Sequence, residues 1–205
     1  MRAFIALELP EEIKKEVGKI QLSLKNAGVQ ARWVKPELSH LTLAFLGSIT
    51  PNKLELIGNI LEAVASQIKP VQLHFLKIGC FPGPTKARVI FIDLGGELGK
   101  LNALAMKIRK RLKKEKIWFD EKPFVSHITL ARKIRLKADL VPTSRSRKAG
   151  FCGVGRIKKR QNLTLLIDKI KVKKEEFIAS EVSLTKSTLT ESGPIYTQFR
   201  CVSLA

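Results

Sequence analysis

Two stretches of this chain, far apart in sequence, are written in nearly the same six residues. They are Ser39-His40-Leu41-Thr42-Leu43-Ala44 and Ser126-His127-Ile128-Thr129-Leu130-Ala131. Apolar and polar residues alternating at period two specify a strand with one buried face. That parity sets His40 and Thr42 on one side and Leu41, Leu43 and Phe45 on the other. In the second copy His127 and Thr129 lie opposite Ile128 and Leu130. A chain carrying this pattern twice is expected to fold as two related halves around matched strands. Each strand buries an apolar face and presents an imidazole beside a hydroxyl.

The sequence has three histidines, and the repeats contain two of them. Imidazole is the side chain suited to exchanging protons near neutrality. A pair of them across one cleft supplies the base and the acid needed to split one bond. Threonine hydroxyls beside them can hydrogen-bond the non-bridging oxygens of a phosphate as charge builds there. In-line attack at phosphorus therefore suits the pair, and it requires no metal because the imidazoles carry both proton steps. A metal site is disfavoured: histidine with threonine two residues on lacks a second strong ligand. His74, in the run Val71-Gln72-Leu73-His74-Phe75, has no such partner and reads as a structural or surface residue.

The remaining elements follow from periodicity. Residues 2–9 read as a first strand, too short and too soon broken by Pro10 for a signal peptide. Ile13, Val17, Ile20 and Leu24 recur at helical spacing, with Gly28 as the stop. Thr50-Pro51 predicts a capped helix start, and Leu54, Ile57, Leu61, Val64 and Ile68 form that helix's buried stripe. Residues 71–78 and 88–94 read as strands joined by a loop at 79–84. Leu98, Leu101, Leu104, Ile108 and Leu112 mark a third helix. Residues 139–160 read as a mobile basic loop, 175–184 as an alternating strand and 198–204 as a final strand. This order fits an α+β fold with antiparallel or mixed sheets better than a doubly wound parallel one.

Charge points to the partner. Lys and Arg number 38 against 18 Asp and Glu, a net charge of +20. Such an excess favours polyanions, of which nucleic acid is the commonest in a cytoplasm. The cations cluster, first in residues 107–114 and then from Arg132 through Lys174. Three separated cysteines (Cys80, Cys152, Cys201) form neither a disulfide framework nor a zinc site, which suits a reducing cytoplasm. No apolar run reaches the roughly 20 residues of a membrane span.

These residues resemble the two-histidine (2H) phosphoesterase superfamily, marked by a duplicated His-x-Thr-apolar motif. Within it the chain is similar to the RNA 2′,3′-cyclic phosphodiesterases, historically called 2′-5′ RNA ligases. The likeness runs through Met1-Arg2-Ala3-Phe4-Ile5-Ala6, both motifs, Gly79-Cys80-Phe81-Pro82, Pro123-Phe124-Val125, Ser187-Thr188-Leu189 and Gly193-Pro194-Ile195-Tyr196. It implies one bilobal domain over residues 1–205, pseudo-twofold, with two sheets flanking a central cleft and helices outside. It implies a cytoplasmic monomer that needs no cofactor and hydrolyses 2′,3′-cyclic phosphate ends of RNA, tRNA among them, to 2′-phosphomonoesters. His40 would be the proton donor and His127 the proton acceptor, with Thr42 and Thr129 on the phosphate. Arg132 follows the second motif, where the family often has a cation near the phosphate. Its parity matches Ile128 and Leu130, so it reaches the cleft only if the strand ends or twists there. Phe45 and Phe81 could stack a base, the alternative for both being the core. Two other activities fit the same residues: 2′-5′ joining of tRNA halves, or RNA binding by the basic segments with catalysis dispensable.

Overall fold

The computed structural model describes residues 1–136, 163–190 and 193–205. The basic segment 139–160 and Cys152 lie outside the described residues. Strand β1 (Arg2–Glu8) leads into helix α1 (Glu11–Asn26), strand β2 (Val29–Trp33) and the first motif strand β3 (His40–Ser48). Helix α2 (Asn52–Ala65), strands β4 (Val71–Phe81) and β5 (Val89–Gly96) and helix α3 (Leu98–Lys114) come next. The second motif strand β6 (His127–Leu136), a short helix α4 (Leu163–Asp168) and strands β7 (Glu176–Ala179), β8 (Glu181–Thr190) and β9 (Gly193–Ser203) complete the chain.

The strands form two sheets in the orders β3-β1-β8-β9 and β2-β6-β5-β4-β7, and every pairing is antiparallel. The motif strands occupy corresponding places: β3 pairs with β1, and β6 pairs with β5. The halves are not sequential blocks, however. β2 leaves the first half to cover the outer edge of β6, and β1 pairs with β8 from near the chain's end. The predicted strand at 175–184 is divided at Ser180, with β7 in one sheet and β8 in the other.

The helical stripes form as the periodicity requires. Val17 and Leu24 of α1, Ile57 and Leu61 of α2, and Leu101, Leu104 and Leu112 of α3 are almost wholly buried in one continuous core. Glu11 and Glu12 in the first turn of α1 and Lys25 in its last complement the helix dipole. Gly28 then adopts φ +91°, where a side chain is disfavoured. The start of α2 differs from expectation: Pro51 is the capping residue, and the Thr50 hydroxyl bonds the Asn52 side chain instead of a backbone N–H. Ile68 is buried beyond the helix end. Residues 79–81, expected in a loop, extend β4, and β9 starts five residues before its predicted place at 198. His74 lies on β4 opposite Glu176 of β7, outside the motif strands.

Candidate active site

Both motifs contain a bulge at the same point. Along β1–β3, Ile5 faces Ala44 and Ala6 faces Thr42, so Leu43 has no partner. Along β5–β6, Ile90 faces Ala131 and Phe91 faces Thr129, so Leu130 has none. Leu43, Ala44, Leu130 and Ala131 are all buried. A bulge adds one residue to one strand and reverses the facing of the residues beyond it. Phe45, expected on the apolar side, is therefore 44% exposed and lines the cleft. The same reversal turns Arg132 to the His127 side, and its charge bears on His40, His127 and Tyr196. Strict alternation fails for both residues because it carries no allowance for the extra one.

A bulge also releases a carbonyl from the ladder, and a buried carbonyl needs a donor. The Arg109 Nε donates to Leu43 O at 3.1 Å, and Leu130 O, which accepts Val34 N–H at 3.0 Å, takes a second bond from Gln21 Nε2 at 3.0 Å. Each motif is thus pinned by a side chain from a helix, α3 in one case and α1 in the other. Arg109 also donates to Lys122 O (2.8 Å) and lies 5.8 Å from the ring centres of Phe119 and Phe124. In the sequence it merges with the basic run 107–114. Its position out of phase with Leu104, Ile108 and Leu112 gives no sign of an internal partner.

The two imidazoles are seated alike. His40 Nδ1 lies 2.8 Å from Leu38 O, and His127 Nδ1 lies 2.8 Å from Val125 O. A carbonyl only accepts, so Nδ1–H is the donor in each ring and Nε2 is left for chemistry. Each ring is held by two aromatics from other strands of its own sheet. Phe4 stacks on His40 at 4.6 Å and Tyr196 meets it edge-on at 5.5 Å. Phe81 and Phe91, stacked on each other at 4.2 Å, both meet His127 edge-on at 5.4 Å. Phe4, Phe91 and Tyr196 are site residues that sequence reasoning missed; Phe4 and Tyr196 lay within runs that carried the resemblance, and Phe91 carried no signal.

Thr42 and His127, from different motif strands, line one cleft of about 410 Å³ with Phe45, Phe81, Arg109 and Phe124. His40 borders an adjoining hollow of about 170 Å³ with Glu8, Thr185, Tyr196 and Gln198. Thr129 is half-buried in β6 opposite Phe91. Burial pushes the His40 imidazole from its ordinary 6.5 down to about 4, and the charges of Arg132 and His127 act in the same direction. Burial and Arg132 also lower His127, with Asp93, its cross-strand neighbour, opposing. Among the described residues no three His, Cys, Asp or Glu side chains gather as a metal would require.

The two His–Thr strands come from separate antiparallel sheets and bring Thr42 of one beside His127 of the other at one cleft, the arrangement expected of a phosphoesterase of the two-histidine class. The LigT like Phosphoesterase family profile matches residues 7–91. The chain is 32% identical to the RNA 2′,3′-cyclic phosphodiesterase of Methanothermobacter thermautotrophicus, over 100% of this chain and 99% of that one. It is 32% identical to the protein of the same name from Methanocaldococcus jannaschii, over 96% of each. Among solved structures, TT0787 of Thermus thermophilus superposes with a TM-score of 0.73 at 27% identity, covering 100% of this chain and 98% of that one. E. coli LigT complexed with 3′-AMP shares the fold, with a TM-score of 0.64 at 22% identity over 99% and 97%. This chain belongs to the LigT-like phosphoesterase family.

Proposed function

We propose that the protein hydrolyses 2′,3′-cyclic phosphate ends of RNA to 2′-phosphomonoesters, by acid–base catalysis between His127 and His40 and without a metal. The observation that carries the reading is the paired seating of the imidazoles, each fixed through Nδ1 with Nε2 free. Relatives named RNA 2′,3′-cyclic phosphodiesterase across the whole length support the substrate. In this scheme His127 Nε2 takes a proton from water, whose oxygen forms a bond to phosphorus. The bond from phosphorus to the 3′ oxygen breaks, and His40 Nε2–H delivers the proton to that oxygen. Thr42 and Thr129 hydrogen-bond the phosphate and Arg132 neutralises its charge, while Phe45 and Phe81 take the terminal base.

Burial above all, with Arg132 and the neighbouring imidazole, holds His40 down to about 4, so at pH 7 its ring is neutral in the free protein. A bound phosphate anion contributes the opposite charge and raises it, toward the protonated form that the donor needs. The test is turnover of an oligonucleotide ending in a 2′,3′-cyclic phosphate, in the presence of chelator. Activity is expected for the wild-type chain and is lost in His40→Ala and His127→Ala. Full activity in the double variant overturns the proposal.

A further inference from the structure

Beside the cleft stands an aromatic side chain that the scheme above leaves unused. Trp118 is 65% exposed, yet it is not on a loose segment. Ile117 and Phe119 on either side are buried at 3% and 8% exposure. Ile117 N–H donates to Leu112 O at 2.9 Å, and Asp120 N–H donates to Phe45 O at 2.9 Å. The short extended stretch thus runs beside β3 with its apolar residues inward and the indole outward. Two residues along β3 from Phe45, Gly47 lies under the indole at φ +60°. A Cβ there would sit 2.8 Å from Cζ3 and 3.2 Å from Cε3, so the ring rests on bare backbone.

Leaving a large aromatic surface in water forfeits the stabilisation its burial would give. Here the anchored backbone on either side holds it two residues from Asp120, which lines the cleft. Proteins that bind single-stranded nucleic acid use such rings as platforms for successive bases, with cations along the backbone. Phe45, 44% exposed, and Lys122 both line the adjacent cleft. Trp118 lies two residues from Asp120, which lines the cleft with Phe45, and two extended residues span about 7 Å, too far for one base to cover both rings and near enough for its neighbour. We infer that Trp118 stacks the nucleobase next to the terminal one, so that the protein grips RNA through at least two nucleotides. The inference rests on the RNA reading of the cleft.

The test compares a cyclic mononucleotide with a tetranucleotide carrying the same cyclic end. The ratio of kcat/KM for the tetranucleotide to that for the mononucleotide is expected to fall about 5- to 150-fold in Trp118→Ala, the range for loss of one base–aromatic stack. Trp118→Phe should retain most of it. Because a ratio is read, loss of folded protein cancels. In a Trp33→Phe background Trp118 is the sole tryptophan. Its fluorescence should be quenched by a tetranucleotide ending in a 2′-phosphate and not by the corresponding mononucleotide. An unchanged ratio with no quenching overturns the inference. So does an indole shielded from acrylamide, in RNA-free protein, by self-association. If the wild-type chain turns over neither substrate, the proposed activity fails, and the fluorescence result alone decides whether Trp118 contacts RNA.

Discussion

Gly79 offers a direct test of how the His127 seat is built. It sits on β4 directly across from Phe91 of β5, and a Cβ there would lie 2.5 Å from Phe91 Cζ and 2.7 Å from Cε2. Carbon atoms in contact sit about 3.5 Å apart, so Gly79→Ala must drive the ring about 1 Å aside. The ring is 8% exposed, with Phe81 stacked on it and His127 at its edge, so the displacement reaches the imidazole. Overpacking of this kind costs about 1–3 kcal/mol. At about 2–4 °C per kcal/mol for a chain of this size, the melting temperature should fall by about 2–12 °C. A misplacement of about 1 Å in a catalytic group lowers rate by about 100-fold. The assays are a thermal melt by circular dichroism and kcat/KM on a cyclic-phosphate oligonucleotide. Phe91→Leu removes the clashing ring atoms, so Gly79→Ala with Phe91→Leu should be more active than Gly79→Ala alone. Wild-type melting and turnover in Gly79→Ala, or no gain in the double variant, would refute the reasoning.

Two further perturbations read out other parts of the site. Both imidazoles are held below 6.5, so kcat/KM, which reports the free protein, should peak on the acid side of 6.5. Arg132→Gln removes a charge that lowers both, so the residual activity should peak at higher pH; a peak that stays or moves toward acid contradicts this. The buried His40 also has a sign for stability. Its folded value of about 4 lies below 6.5, so the unfolded chain binds the proton first, and urea titrations should show stability falling as pH drops from 6.5 toward 4. Gln21 is buried and donates to Val34 O (2.7 Å) as well as Leu130 O. Gln21→Leu should cost about 1–3 kcal/mol in urea unfolding, as Val34 O loses that donor and Leu130 O is left with Val34 N–H; an unchanged midpoint would show that the bulge needs no such pin.

The pairing of the two motifs, their strand character and the helical stripes were legible because each rests on a local period. Where a second strand or helix decides, the sequence was harder to read. Counting alternate residues misplaces Phe45 and Arg132, yet the runs Thr42-Leu43-Ala44 and Thr129-Leu130-Ala131 place two apolar residues in succession. That break in alternation is what a bulge looks like before folding, and it occurs in both copies. Arg109 was unreadable for a different reason: its acceptor is a carbonyl freed by the bulge on a strand 66 residues away. Trp118 carried no periodic signal, since its flanks are anchored by single hydrogen bonds and not by a regular element. The division at Ser180 likewise depends on which edge strand is available, not on the alternating residues themselves.

The interlacing of the sheets bears on how the cleft comes into being on a ribosome. β1 is made well before one of its two neighbours, β8. The other sheet waits for β7 to finish its edge. Contacts between such distant segments slow folding, because the chain must close long loops before they form. Neither His40 nor His127 therefore gains its complete sheet until β7, β8 and β9 have been made. A truncated product, lacking β8 and β9, would expose the open flank of β1 and lose Tyr196 from beside His40, so incomplete chains are born without a finished site.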